Sequence, residues 1–386
     1  NREEAIARMV CLRTCAFVLL VAGFTTAFVQ VQWSSPIGGA LRRPPALSCR
    51  QSRNSAGLRM GILDDVVERK KKEVEALKAN PPPGVAELLE KMGSIKNKNA
   101  VYKALKKPKG TITVIPEMKW KTPLLGKFCE RPQPDILGGH YYESGAAAVC
   151  VHVDGEGYGF THDDLRIVVK GQQSHQGNFP GPLPCIAYDT FIDPIQVAVA
   201  AEAGAKGVML NVAALKERTK EMIDACDGLG MDCIVEVHSE EEVKIAVDAG
   251  AKIIGVCNRN QHTFEYISEL DTVAREWAVP IEETIYNLHE LIPDGTIKLA
   301  MGNVNETLMA WKLRDYGYGS IMIGETLMRG SEMRMASGPY QAAYNEAKGL
   351  IRAFKSKGSV KYGPASTASF YGKGEGAKET LGHIAM

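Results

Sequence analysis

The sequence has no Cys-x-x-Cys pair, no surplus of either charge, and no second long apolar run. Its nine cysteines are scattered, which excludes a disulfide scaffold and a zinc knuckle. Lys and Arg number 46 against 45 Asp and Glu, a net charge of +1. That balance removes the electrostatic footprint of a nucleic-acid binder. A Gly-x-Gly-x-x-Gly loop after the first apolar strand is also missing, against an open dinucleotide-binding sheet. What remains is a 386-residue chain with 45% hydrophobic and 24% charged residues, the balance of a globular core with one large or two small domains.

The single long apolar run is Cys15 to Phe24, CAFVLLVAGF, too short to span a bilayer comfortably. Arg8 and Arg13 flank its start, and Thr25, Thr26 and Ala27 follow. This is the layout of a secretory signal peptide. From Phe28 to Met60 the chain has five arginines, several serines and no acid, the composition of an organelle transit peptide. Signal plus transit segment, with Phe28 at the junction, resembles the two-part presequence of plastid proteins in algae with secondary plastids. The expected location is therefore the plastid stroma, with residues 1–59 removed and no stable membrane insertion after processing. A membrane anchor with a disordered stalk is the competing reading.

Asp64 to Lys78 has helical spacing and many charges, an exposed amphipathic helix. Prolines 81–83 stop it, and short helices follow at Gly84–Lys91 and Val101–Leu105. Eight short apolar runs then alternate with helical stretches: Ile112–Ile115, Ala148–Val153, Cys185–Ala187, Gly207–Asn211, Cys233–Val237, Ile253–Val256, Ile297–Met301 and Ser320–Ile323. Several helices end in Ser-Gly-Ala or Ala-Gly-Ala, at Gly145, Gly204 and Gly250, a helix-to-strand junction. Eight such units in about 220 residues predict an α/β fold, a closed (β/α)8 TIM barrel over 60–355 with an extra N-terminal helical segment. The tail, 356–386, is rich in Gly, Ser and Lys and reads as flexible.

Barrel chemistry sits at the C-terminal strand ends. Alternation puts Glu117 and Lys119 of the first strand on one side, facing the mouth; a carboxylate beside an ammonium suits proton transfer. Glu236 is a charge inside the apolar fifth strand, and such charges are seldom left without partners. His238 reads as a cap or a solvent-facing ring. Arg259 is either a phosphate ligand or a structural fork; Cys257 reads as a small buried cysteine rather than a reactive thiol. Asn258, Gly302, Asn303, Gly324 and Glu325 complete the strand ends, where glycine N–H groups can hold phosphate. His140, His152 and His162 lack ligand spacing, so no metal is expected.

These strand ends, in this order, resemble the indole-3-glycerol-phosphate synthase family. VIPEMKWKTP, YYESGAAAVCVHVD, FIDPIQVAVAAEAGAKGVML, LGMDCIVEVHSEEEVKIAVDAGAKIIGVCNRNQHTF and GYGSIMIGETLM follow in family order from about Gly61 to Gly330. The resemblance implies a tryptophan-pathway lyase that closes the ring of a carboxyphenylamino-deoxyribulose phosphate, releasing carbon dioxide and then water. It implies a phosphorylated substrate and no metal or organic cofactor. Glu117, Lys119 and Glu236 match catalytic positions, and Lys119, Arg259, Asn258, Gly302, Asn303, Gly324 and Glu325 match or neighbour the substrate and phosphate clamp.

The chain departs from the family at three points. The third-strand Lys is Tyr188, the sixth-strand Asn is Cys257, and the seventh-strand Glu is Met301. A tyrosine donates a proton but brings no positive charge; Met transfers none. Tyr188 or Lys170 is expected to stand in for the lost Lys. The loops GQQSHQGNFPGP and the one ending near Trp277 are expected to reshape the mouth. The alternatives are a catalytically altered barrel that binds a sugar phosphate, or a structural subunit of a plastid complex with a protein partner.

Overall fold

The computed structural model describes residues 61–268, 284–304, 306–332 and 348–356. The signal and transit segments, the loop stretch around Trp277 and the tail beyond 356 lie outside the described residues. All eight predicted strands are present: β1 Thr113–Met118, β2 Val149–His152, β3 Cys185–Tyr188, β4 Gly207–Asn211, β5 Asp232–Val237, β6 Ile253–Cys257, β7 Ile297–Met301 and β8 Ser320–Ile323. They pair in parallel in the order β1-β8-β7-β6-β5-β4-β3-β2 and close on themselves. Helices at Pro134–Glu143, His162–Gln173, Pro194–Glu202, Thr219–Gly228, Glu240–Asp248 and Thr307–Asp315 form the outer layer, and β8 leads into Glu325–Glu332. Among the described residues a 3-10 helix, Ile285–Leu291, lies between β6 and β7.

Strand alternation divides the core in two. Ile115, Cys150, Ile186, Met209, Ile234, Leu299, Met301 and Met322 fill the barrel interior. Val114, Val151, Ala187, Val208, Val235 and Val256 face the helices. Gly145, Gly204 and Gly250 have φ of +78°, +93° and +79°, the left-handed helix ends that their Gly-Ala motifs predict.

Three helices precede the barrel: α1 Ile62–Ala79, α2 Pro83–Glu90 and α3 Ala100–Leu105. The last closes the barrel floor. Val101 and Leu105 join the interior cluster, and the Asp232 carboxylate accepts from the Val101 N–H at 2.7 Å and the Tyr102 N–H at 3.2 Å. Helix α1 is instead tied to loops at the C-terminal strand ends. Its Ile62 N–H reaches the His262 carbonyl at 3.1 Å. Arg69 forks onto Asp154 at 2.7 and 3.0 Å. Lys70, buried, bonds Asp189 at 2.7 Å and Glu73 at 2.8 Å. Burial lowers the Lys70 pKa, but Asp189 and Asp154 outweigh it and raise it.

Two expectations are corrected by the topology. The segment GQQSHQGNFPGP joins the helix His162–Gln173 to the start of β3, so it lies at the floor and cannot shape the mouth. Lys170 is exposed on that same outer helix. It cannot substitute for a strand-end cation.

Candidate active site

The inward residues at the C-terminal ends of β1 to β7 include Glu117, His152, Tyr188, Asn211, Glu236, Cys257 and Met301, in a continuous polar-to-apolar ring. Glu117 and Lys119 meet as expected: the Lys119 ammonium donates to Glu117 Oε2 at 2.9 Å. The other Glu117 oxygen lies 2.7 Å from His152 Nε2. Burial alone would raise the Glu117 carboxyl; Lys119 and His152 outweigh it and hold it well below the usual carboxylate range. Burial lowers the His152 pKa despite Glu117. A neutral ring donating from Nε2 satisfies Glu117 and leaves Nδ1, which is buried without a hydrogen-bond partner, as the lone-pair nitrogen. The ring lies between Tyr158 and Tyr188, each centroid 4.2 Å away.

Gly324, at the end of β8, backs this pair. A Cβ there would overlap Glu117 Oε2 and come within 2.9 Å of Lys119 Cε. Glycine is required because the backbone passes directly behind both side chains.

The second half of the mouth centres on Glu236, which is fully buried. Its Oε2 accepts from the Tyr188 hydroxyl at 2.8 Å and from Asn211 Nδ2 at 3.3 Å. Its Oε1 faces His238 Nε2 and Gln261 Nε2, both at 3.1 Å. His238 is not solvent-facing. Glu242 lies one turn into the helix opened by Ser239, and its Oε2 accepts from the His238 backbone N–H at 2.6 Å and meets Nδ1 at 2.9 Å. This S-x-x-E arrangement is a helix-start signature, and it swings the ring inward. Burial alone would lower the His238 pKa; Cys257, Glu236 and Glu242 outweigh it and raise it well above the ordinary imidazole value. Burial, together with Glu236, pushes the Cys257 thiol up to about 11.

Tyr188 therefore does not behave as a free acid. Its hydroxyl is committed to Glu236, and burial, reinforced by that carboxylate, raises its pKa well above the usual phenol value. Met301 is buried in the interior cluster, and Gly255, opposite, would place a Cβ 3.1 Å from its sulfur.

The expected clamp is only partly assembled. Asn258 is buried, and its amide closes the loop after β6, donating to the Ser268 carbonyl at 3.0 Å and accepting from the Ser268 N–H at 2.7 Å. Its side chain holds the loop rather than a ligand. Arg259 is the structural fork: it donates to the Phe264 carbonyl at 2.8 Å, lies over the Tyr266 ring at 4.6 Å and pairs with Glu325 at 3.4 Å. Two residues expected to face phosphate thus neutralise each other. Gly302 and Asn303 take consecutive left-handed conformations, φ +84° and +59°, and the Gly302 carbonyl accepts from Tyr286 at 2.5 Å. Sequence reading missed His152, Asn211, Gln261 and the inward turn of His238. The inward register of His152, two residues after Cys150, and the Ser239/Glu242 pair were the available signals.

Residues 63–337 match the family described as indole-3-glycerol phosphate synthase. A protein of that name from Ruminiclostridium cellulolyticum is 34% identical over 275 residues, covering 70% of this chain and 95% of that one. One from Kineococcus radiotolerans is 29% identical over 286 residues, covering 74% and 96%. The multifunctional tryptophan biosynthesis protein of Schizosaccharomyces pombe is 31% identical over 232 residues, covering 60% of this chain and 28% of its own.

Proposed function

The chain belongs to the indole-3-glycerol-phosphate synthase family, and from that premise we propose that it closes the ring of a carboxyphenylamino-deoxyribulose phosphate with Lys119 as its proton donor. It is a synthase-like protein of tryptophan biosynthesis. The observation that carries the finer reading is the Lys119–Glu117–His152 chain at 2.9 and 2.7 Å. Ring closure needs a proton delivered to the substrate carbonyl as the aryl carbon attacks. Lys119 holds that proton at an inward strand end. Glu117, kept ionised, positions the Lys119 ammonium through their 2.9 Å hydrogen bond, and the proton that Lys119 gives up is replaced from solvent. Tyr188 orients Glu236 and carries no charge, so the barrier is lowered less than with a second ammonium. Loss of one acid/base group costs about 10²- to 10⁴-fold.

The test is a fluorescence assay of indole-glycerol phosphate formation by the full-length chain, by Lys119→Ala and by Tyr188→Lys/Met301→Glu. Turnover that disappears in Lys119→Ala supports the reading. One observation favours a second one, a phosphate-ester binder without this chemistry: Met301 occupies a buried position where the family carries a proton-transferring Glu. It predicts no native turnover, a rise in Tm with a phosphate ester, and activity in the Tyr188→Lys/Met301→Glu variant. We also propose plastid import, supported by the apolar run at Cys15–Phe24 and the acid-free, Arg-rich stretch after it. Fluorescent-protein fusions of residues 1–60 test this by location. A stromal protein partner belongs to the second reading and is tested by co-purification.

A further inference from the structure

We propose that Glu236, His238 and Cys257 form a binding site for a zinc-type divalent cation in the barrel mouth. A carboxylate oxygen, an imidazole nitrogen and the thiol sulfur converge there, all within 4.8 Å of one another. Carboxylate, imidazole and thiolate together suit a borderline-soft ion such as Zn2+, and three protein ligands with one exchangeable position is the pattern of catalytic zinc. Zinc bond lengths put tetrahedral donors about 3.3–3.8 Å apart. Glu236 Oε1 and His238 Nε2 are already at 3.1 Å, so closure asks the sulfur to move by about 1.5 Å at most.

The surroundings are those of a built ligand set. Metal-bound histidines almost always give their other N–H to a carboxylate, a backbone carbonyl or water, and Glu242 takes that place on Nδ1 at 2.9 Å. With Nδ1–H held there, Nε2 is the nitrogen that gives up its proton to take an ion. Tyr188 and Asn211 hold the far carboxylate oxygen, leaving Oε1 for the ion. A hydrogen-bond donor already stands at the convergence point: Gln261 Nε2 lies 3.1 Å from Glu236 Oε1 and 2.9 Å from His238 Nε2. A rotated amide presents Oε1 at the same place, and this oxygen or a water completes the tetrahedron.

Binding transfers the Cys257 thiol proton and the His238 Nε2 proton to solvent as the metal–sulfur and metal–nitrogen bonds form, so one thiolate and one carboxylate neutralise the ion. Neutrality is what a buried site needs. The ion sits beside Tyr188 and supplies there the positive charge that a tyrosine lacks, able to polarise a substrate carbonyl. The proposal rests on donor geometry and does not depend on turnover.

The test is titration of chelator-treated full-length protein with Co2+, followed by competition with Zn2+. One equivalent of Co2+ is expected, with intense tetrahedral visible bands and a near-ultraviolet sulfur-to-cobalt band, both removed by Zn2+. Cys257→Ser should abolish the sulfur band, and Glu242→Gln should weaken affinity by about 10- to 100-fold. Absence of a bound ion, or a sulfur band that survives in Cys257→Ser, overturns the site. Should Cys257→Ser fail to fold, the Glu242→Gln affinity decides: no change in it counts against the site.

Discussion

Lys70→Met is the perturbation that most directly tests how the leading helix holds the mouth. Methionine keeps the length and most of the apolar contact of lysine but removes its charge. Lys70 is 2% exposed and bonds Asp189 at 2.7 Å, with Asp154 at 3.9 Å. Asp154 keeps Arg69. Asp189 keeps the Thr190 N–H, at 2.7 Å. Removing one partner of a buried pair costs about 3–5 kcal/mol, and that remaining N–H places the expected loss near the lower figure, about 3 kcal/mol. For a domain of this size that is a fall in Tm of about 6–12 °C. Burial already raises the Asp189 carboxyl to about 6 even beside Lys70, and without that ammonium it rises further. The folded variant then binds more protons than the folded parent from about pH 6 up to the variant's higher value. Its deficit is therefore full only above that window and shrinks as pH falls through it. Urea denaturation of both proteins at about pH 9 and about pH 5 measures this. Adding Asp189→Asn to Lys70→Met should recover most of the loss at the higher pH. A deficit below about 0.5 kcal/mol, or one equal at both pH values, would refute the reasoning.

Other outcomes follow from the same geometry. Lys119→Ala should lower kcat/KM by about 10²- to 10⁴-fold with an unchanged circular-dichroism spectrum. His152 should titrate below the ordinary imidazole value by NMR, since burial lowers its pKa. The unfolded chain then binds the proton first, so stability drops as pH falls below about 6.5, and His152→Gln should flatten that slope. Gly324→Ala should cost about 1–3 kcal/mol through overpacking and cut turnover, because the new methyl meets Glu117 and Lys119. Asp232→Ala should cost about 1–2 kcal/mol as a lost helix cap while leaving turnover intact, because Asp232 holds α3 at the opposite end.

The barrel was legible because its signals are local. A short β-branched run and a Gly-Ala helix end each follow from a few consecutive residues, and eight such units in series leave few closed arrangements. Period-two alternation likewise placed Glu117 and Lys119 on one side, where they meet at 2.9 Å. The same alternation carries His152 inward, yet a lone histidine in an apolar run has no visible partner until β1 lies beside β2. Loop destinations were less legible. The glycine-rich stretch before β3 looks like an active-site loop by composition, but its end of the barrel depends on whether it leaves a helix or a strand.

By itself, then, the sequence determined the strands, the helices, their order and the strand-end residue types, since each depends on periodicity and turn chemistry within a short window. Tertiary structure alone decided which side chains share a proton or a ligand. Lys70 reaches Asp189 across 119 positions, Tyr188 reaches Glu236 across 48, and Cys257 joins His238 from the next strand. Such pairings depend on closure of the barrel, which brings distant strand ends within bonding distance and excludes the water that would otherwise satisfy them.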